Sequence, residues 1–411
     1  TIAALEKDPT DRTTAEQSQI RTAFRSNHWP PWKDLANRRA ALDRQLASIK
    51  PLPVMVMDAL PAENRRTTRI LNRGVYDRPG DSVEAKTPAV LPPLPESQPR
   101  NRLTLARWLM SPDQPLTARV VVNRHWQIFF GRGLVASAED FGVQGKRPTH
   151  PQLLDWLAAE FRDSGWDVKA LHRQIVTSAT YRQSSRVTAE HLQRDPSNHY
   201  LARRPRYRMP SWMLRDQALA ASGLLVETMG GPPVNSYQPP GIWNEATFGK
   251  IKYQQGTGEQ LYRRSLYLFW RRIVGPTMLF DTAKRQTCEV KPTRTNTPLH
   301  ALTLLNDVTY VEAARHLAQQ SWQEHLAKPE AAIVTSFRRL TARRPTDQEL
   351  APLFQQWQQM KQYYQERPEE ATQLLAVGES PADPSMAPAD LASMTLVCST
   401  ILNLDEVLCL E

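Results

Sequence analysis

The sequence predicts a mainly α fold: a multi-helix domain with a small β element near residues 51–98 and a candidate strand near residues 262–270. Three observations lead there. Apolar residues recur at helical spacing through most of the chain after Pro99. Helix starts are written at several points by a capping side chain or a proline. Alternating apolar residues broken by turn signals are concentrated in one short stretch.

Taken in order, the first fifty residues read as helix, with WKDLANRRAALDRQLASI (Trp32 to Ile49) carrying the apolar spacing and Pro51 ending it. PVMVMDAL, TTRILNRGVY and TPAVLPPLP then read as short strands, with DRPGD at Asp77 to Asp81 as the clearest turn. Beyond Pro99 the pattern turns helical. Starts are expected at Thr149 before Pro151, at Asp167 before VKALHRQIV, and at Thr346, where Glu349 completes a capping box. YRRSLYLFW (Tyr262 to Trp270) alternates as a strand would. Gly378 to Ala389 reads as a loop before a last helix, Asp390 to Leu408. These boundaries divide the chain into an N-terminal helical segment (1–50), a β-rich and Pro-rich element (51–98), a main basic helical domain (99–344) and an acidic helical subdomain (345–411).

At 411 residues the chain can bury a proper core without disulfides. Of its three cysteines, Cys398 and Cys409 fall in one expected helix, roughly 16 Å apart along the axis, which forbids a bridge. No apolar run reaches the ~18 residues of a membrane span, and no leader precedes Thr1, so a processed or excised piece is expected. The net charge of +10 conceals an asymmetry. From Pro345 onward eleven acids face Lys361 and Arg367, so the tail is acidic and the body basic, and the two are expected to associate through opposite charge and through an apolar face around Leu391 to Leu402. A basic body suits nucleic acid or an acidic polysaccharide, but forty arginines against twelve lysines is a bias that genome composition also produces.

RTNTPLHALTLLND (Arg294 to Asp307) is the most motif-like stretch. Thr297 is placed as an N-cap, Pro298 sits where a missing N–H costs nothing, and Asp307 caps the following helix. Arg294 and Asn296 lie outside the helix, free to contact something else.

Catalytic signatures are missing: there is no phosphate loop, no Gly-x-Ser-x-Gly elbow and no His-Glu-x-x-His helix. Gly131 to Ala136 imitates a dinucleotide fingerprint, but the run before it is helical. Within that run Arg119, Asn123, Trp126 and Gln127 form one polar-edged stripe, a candidate network with Asp140 or Glu139 receiving Arg119 or Arg124. His125 has no second ligand at metal spacing in the sequence, and no metal site is expected. The candidate polar network or ligand surface is therefore Arg119, Asn123, Arg124, His125, Trp126, Asp140, Arg294 and Asn296. A rival reading is a polysaccharide-acting enzyme or carbohydrate-binding module, with carboxylates from Asp140, Asp155 and Asp281 and Trp126 or Trp243 as sugar platforms.

The segments NRLTLARWL, PLTARVVVNRHWQIFFGRGLV, EDFG, HPQLLDWLAAEF, GWDVKALHRQIVTSATYRQSS, RTNTPLHALTLLND and LNLDE together resemble the planctomycete-type C-terminal domain of unknown function found behind c-type cytochrome domains in large exported proteins. His300 and Lys291 depart from that pattern, where glutamine and arginine are usual. The resemblance implies export, a multidomain parent and a c-type cytochrome domain or partner enzyme as partner. It implies a docking or scaffold role in extracytoplasmic electron transfer. With no Cys-x-x-Cys-His in this chain, haem is expected only in a separate upstream domain.

Overall fold

The computed structural model describes residues 2–51, 53–58, 60–271, 274, 275, 278–281, 289, 290, 294–325 and 328–410; Cys288 and Lys291 lie outside the described residues. The chain is mainly α, with 53% of it helical and two small two-stranded sheets. It divides into two compact units, residues 1–86 with 99–102, and residues 87–98 with 103–411.

In the first unit α1 (Thr14–His28) opens on a capping box, in which Thr13 Oγ1 accepts from Glu16 N and the Glu16 carboxylate accepts from Thr13 N at 2.9 Å. Trp29 separates it from α2 (Pro30–Ser48), which begins on two prolines. A hairpin follows, β1 (Thr68–Leu71) antiparallel to β2 (Pro79–Val83), with a register irregularity between Arg69 and Leu71. The sequence over-reads strand here. The described residues of PVMVMDAL and TPAVLPPLP have no ladder partner, and Pro79, Gly80 and Asp81 of the supposed turn begin β2.

In the second unit the helices are α3 (Arg102–Leu109), α4 (Thr117–Phe130), α5 (Pro151–Asp163), α6 (Val168–Thr177), α7 (Ser211–Ala221), α8 (Pro298–Asn306), α9 (Val308–Glu324), α10 (Pro329–Thr341), α11 (Asp347–Glu366), α12 (Pro368–Leu375) and α13 (Pro388–Leu402), with shorter turns between them. Asp167 and Asp307 cap as expected, accepting from Ala170 N at 3.0 Å and Thr309 N at 2.9 Å. Glu349 accepts from Thr346 N at 2.7 Å. Thr149 does not cap α5; His150 holds the cap position, and Thr149 N donates to Leu134 O instead.

The unit is organised around α13, which is apolar on every side and packs against α9, α10, α11 and α12. Leu391, Ala392, Met394, Val397, Cys398 and Ile401 are completely buried. A second core joins α4, α5 and α6 through Val122, Trp126, Phe130, Leu154, Leu157, Phe161, Leu171 and Ile175. The expected last helix breaks after Leu402, and a short helical turn at Asp405–Leu408 follows, so Cys398 and Cys409 do not share a helix. Cys409 lies in β4 (Cys409–Leu410), which pairs with β3 (Tyr207–Arg208).

Residues 262–270 are not a strand. They hold 3-10 turns at Gly258–Tyr262 and Ser265–Tyr267 and touch extended chain only through isolated bridges, Val226 to Arg263 and Val234 to Leu268. Arg263, Ser265 and Leu268 turn inward while Arg264 and Leu266 are exposed, an in-and-out pattern made without a ladder.

Removing buried side-chain volume from α13 leaves a cavity that the helices packed around it would have to collapse to fill. Leu391→Ala should therefore lower unfolding free energy by about 2–5 kcal/mol in denaturant titrations, without changing the helical signal of the native state.

Candidate functional site

The stripe on α4 separates into distinct jobs. Asn123 is completely buried. Its Oδ1 accepts from Val135 N at 2.8 Å and its Nδ2 donates to Val135 O at 3.0 Å, satisfying both backbone groups of one residue as a neighbouring strand would. This bond pair folds Gly131 to Val135 back along the helix. Gly131 closes α4 at φ 71°, and a Cβ on Gly133 would lie 2.6 Å from the Asn123 amide nitrogen. The glycines that imitate a dinucleotide fingerprint are thus needed by the turn itself.

Arg119 reaches neither Asp140 nor Glu139. It pairs with Asp155 on α5 at 2.7 Å, a half-exposed bridge that contributes little to stability. Asp140 accepts from Gly142 N at 2.7 Å and organises its own loop, while Arg124 faces solvent. Trp126 is 4% exposed and stacks on Phe130 with centroids 4.2 Å apart. Trp243 is buried to the same extent and stacks on Tyr253, so neither indole offers a sugar platform.

His125 is not alone. His172 on α6 comes within 2.9 Å, Nε2 to Nδ1, and Phe129 packs edge-on against the His172 ring. Burial, and secondarily the His172 charge, pushes His125 below the usual imidazole range. Nothing local in the sequence couples positions 47 residues apart, so sequence reasoning missed this pair.

Arg294 lies at the far end of the same helix. Its guanidinium sits 4.1 Å over the Tyr207 ring and donates to Gly131 O at 3.4 Å, while the Tyr207 hydroxyl donates to Ile128 O. Both groups serve carbonyls left over at the C-terminus of α4, where a cation is also favoured by the helix dipole. Asn296 accepts from Arg208 Nη1 at 2.5 Å. Thr295 donates through N and Oγ1 to Asp281 at 2.6 and 2.7 Å, and Asp281 itself is held at φ 54°. His300 stacks on Phe280, centroids 3.9 Å apart; burial, then the Arg208 charge, lowers its pKa. Tyr207, Arg208, Phe280 and Asp281 carry no sequence signal that would have joined them to the motif.

RTNTP is therefore pinned by its arginine, its Thr295 and its Asn296. Thr297 occupies the N-cap position, but its side chain makes no capping bond; Pro298 provides the start. What this pinned segment delivers to the surface is α8. His300 and Leu304 face inward, whereas Leu299, Leu302 and Leu305 are 69%, 57% and 46% exposed and lie along one face. Asn296, Thr297, Asn306 and Asp307 bracket the leucines. Among the described residues no three His, Cys, Asp or Glu side chains cluster as metal ligands, and no helix is long and apolar enough to cross a membrane.

Fold and site together define a helical domain whose flagged polar residues mostly hold its own backbone and position an apolar helix face. The chain belongs to the family PSD1, described as a protein of unknown function (DUF1553), which matches residues 101–357. No curated protein and no solved structure matches it.

Asn123→Ala strands both backbone groups of Val135 and should cost about 1–3 kcal/mol for each lost partner, measured by chemical denaturation. Thr297→Ala should stay within about 0.5 kcal/mol of the parent, since no capping bond is lost. For His125 and His300 the folded pKa lies below the ordinary value of 6.5, so the unfolded chain binds more protons in acid. Their stability contribution is full above pH 6.5 and is lost as pH falls from there through the folded values. Melting temperature should therefore drop on acidification below about 6.5, and His125→Gln should make that drop shallower.

Proposed function

We propose that this domain is a non-catalytic docking or scaffold module of an exported, planctomycete-type multidomain protein. In this reading its α8 face receives the c-type cytochrome domain of the same parent protein and holds it for extracytoplasmic electron transfer. The observation that carries the reading is the exposed Leu299, Leu302 and Leu305 face, set in the middle of the most motif-like stretch and locked in place by Arg208, Asp281 and Arg294. Large apolar side chains grouped on a surface and rimmed by polar groups mark an interaction site. A modest face of this kind suits the small, weak interfaces of redox partners. The haem belongs to the upstream domain in this proposal, because the chain has no Cys-x-x-Cys-His.

The test is coelution of this chain with the haem-bearing segment of its parent, read by haem absorbance. Leu299→Asp with Leu302→Asp, both at exposed positions, should weaken the complex at least about tenfold while leaving the melting temperature unchanged. Unaltered affinity in the double variant, failure of the unsubstituted chain to bind, or covalent haem absorbance in this chain alone would overturn the proposal.

A further inference from the structure

Between the turn that follows α4 and the loop of residues 195–205, the second unit holds a partly enclosed cavity of about 130 Å³. Its floor is the stacked pair Trp126 and Phe130, and Leu134, Leu201 and Pro205 form apolar walls. Arg132, Ser197 and His199, all exposed, stand at its rim, and no carboxylate lines it. Both walls are held by their own hydrogen bonds. Asn123 fixes the α4 side through Val135, and Thr149 N donates to Leu134 O at 2.9 Å. On the other side Asn198 treats Arg203 as Asn123 treats Val135: its Oδ1 accepts from Arg203 N at 3.4 Å and its Nδ2 donates to Arg203 O at 2.7 Å. The Asp195 carboxylate accepts from His199 N and Tyr200 N, both at 2.8 Å, so this acid is engaged within the loop. Asn198 and Leu201, at φ 50° and 55°, both occupy the left-handed region, and both line the cavity. A residue with a Cβ, leucine above all, adopts that conformation at a cost, and residues so held gather at ligand clamps.

We propose that this cavity is a binding site for a small organic carboxylate with a compact apolar body. Its volume is on the scale of the ~150 Å³ cavity that takes one benzene ring. Arg132 has no ion-pair or hydrogen-bond partner among the described residues, and a guanidinium at the mouth of a largely apolar cavity selects a carboxylate head. The apolar body lies against Leu134, Leu201 and Pro205, with the head at Arg132. A sugar does not suit the site, because the stacked floor rings of Trp126 and Phe130 are 4% and 3% exposed and present no open face. The cavity is a different place from the α8 face and stands apart from the docking proposal.

Benzoate is the probe. Calorimetric titration of the full chain should show one saturable site with a Kd of about 1 mM or tighter, the range open to a ligand of so few atoms. Benzyl alcohol keeps the ring and lacks the charge, whereas inorganic phosphate keeps the charge and lacks the ring; each should bind at least about tenfold more weakly. Arg132→Gln, at an exposed position, should weaken benzoate binding by about tenfold or more while leaving the melting temperature of the free chain unchanged. Absence of saturable benzoate binding up to about 20 mM overturns the proposal. So does benzyl alcohol or phosphate binding as tightly as benzoate, or a benzoate affinity that survives Arg132→Gln.

Discussion

The constraint on which this fold depends is the fate of backbone carbonyls in long irregular segments. Between α7 and α8 the described residues form no sheet and only short helical turns, so their C=O groups have few ladder or helix partners, yet many are buried and must be paired. Arginine supplies the donors. Arg215, completely buried, donates to Leu261 O at 2.7 Å, Arg263 O at 2.8 Å and Ser265 Oγ at 3.2 Å. Arg263 passes the arrangement on, reaching Thr228 O at 3.0 Å and Pro232 O at 3.1 Å while stacking 3.8 Å over Tyr267. Arg203 does the same for Asp195 O and Pro196 O, and Arg294 for Gly131 O. A planar fork of fixed donors suits several carbonyls at once, which an ammonium does not. These four arginines thus have a role inside the fold, independent of any polyanionic partner.

The same device ties the acidic tail to the basic body. Arg315 on α9 donates to Ser380 O at 2.5 Å and Val377 O at 3.3 Å, and Glu312 accepts from Ser380 N at 2.6 Å and the Tyr262 hydroxyl at 2.8 Å. Gly378, at φ 88°, admits this approach, since a Cβ there would lie 2.3 Å from the Glu312 carboxyl carbon. The part-exposed pairs of Arg343 with Glu349 and Glu406 add little by comparison. Opposite charge and the apolar face around Leu391 to Leu402 were both expected to draw the tail to the body, and in the structure that face is buried. Burial of α13 supplies most of the association. The matched family span ends at Trp357, inside α11, whereas the helix that fills the core follows it.

What the sequence made legible was local. The fold class followed from helical spacing, and the starts at Asp167, Pro298, Asp307 and Thr346 follow from side chains acting within three residues of themselves. The stripe on α4 was legible as a buried polar edge, because Asn123 and Trp126 recur on one face of an apolar helix. Its partners were not. Val135 N, His172 and Asp155 become neighbours only through tertiary packing, and the carbonyl that Arg294 serves, Gly131 O at the end of α4, lies more than 160 residues away. The strand at 262–270 failed for a related reason: alternation reports which residues point inward, and a buried 3-10 segment with two isolated bridges produces it as readily as a ladder does.

Buried arginines act as internal donors that hold irregular chain, and Arg215→Met tests this role most directly. The substitution keeps apolar bulk in the core but leaves the carbonyls of Leu261 and Arg263 without their donors. Urea titration should show a loss of about 3–5 kcal/mol, the scale of breaking a buried charged network from one side. Stability within about 0.5 kcal/mol of the parent would contradict it.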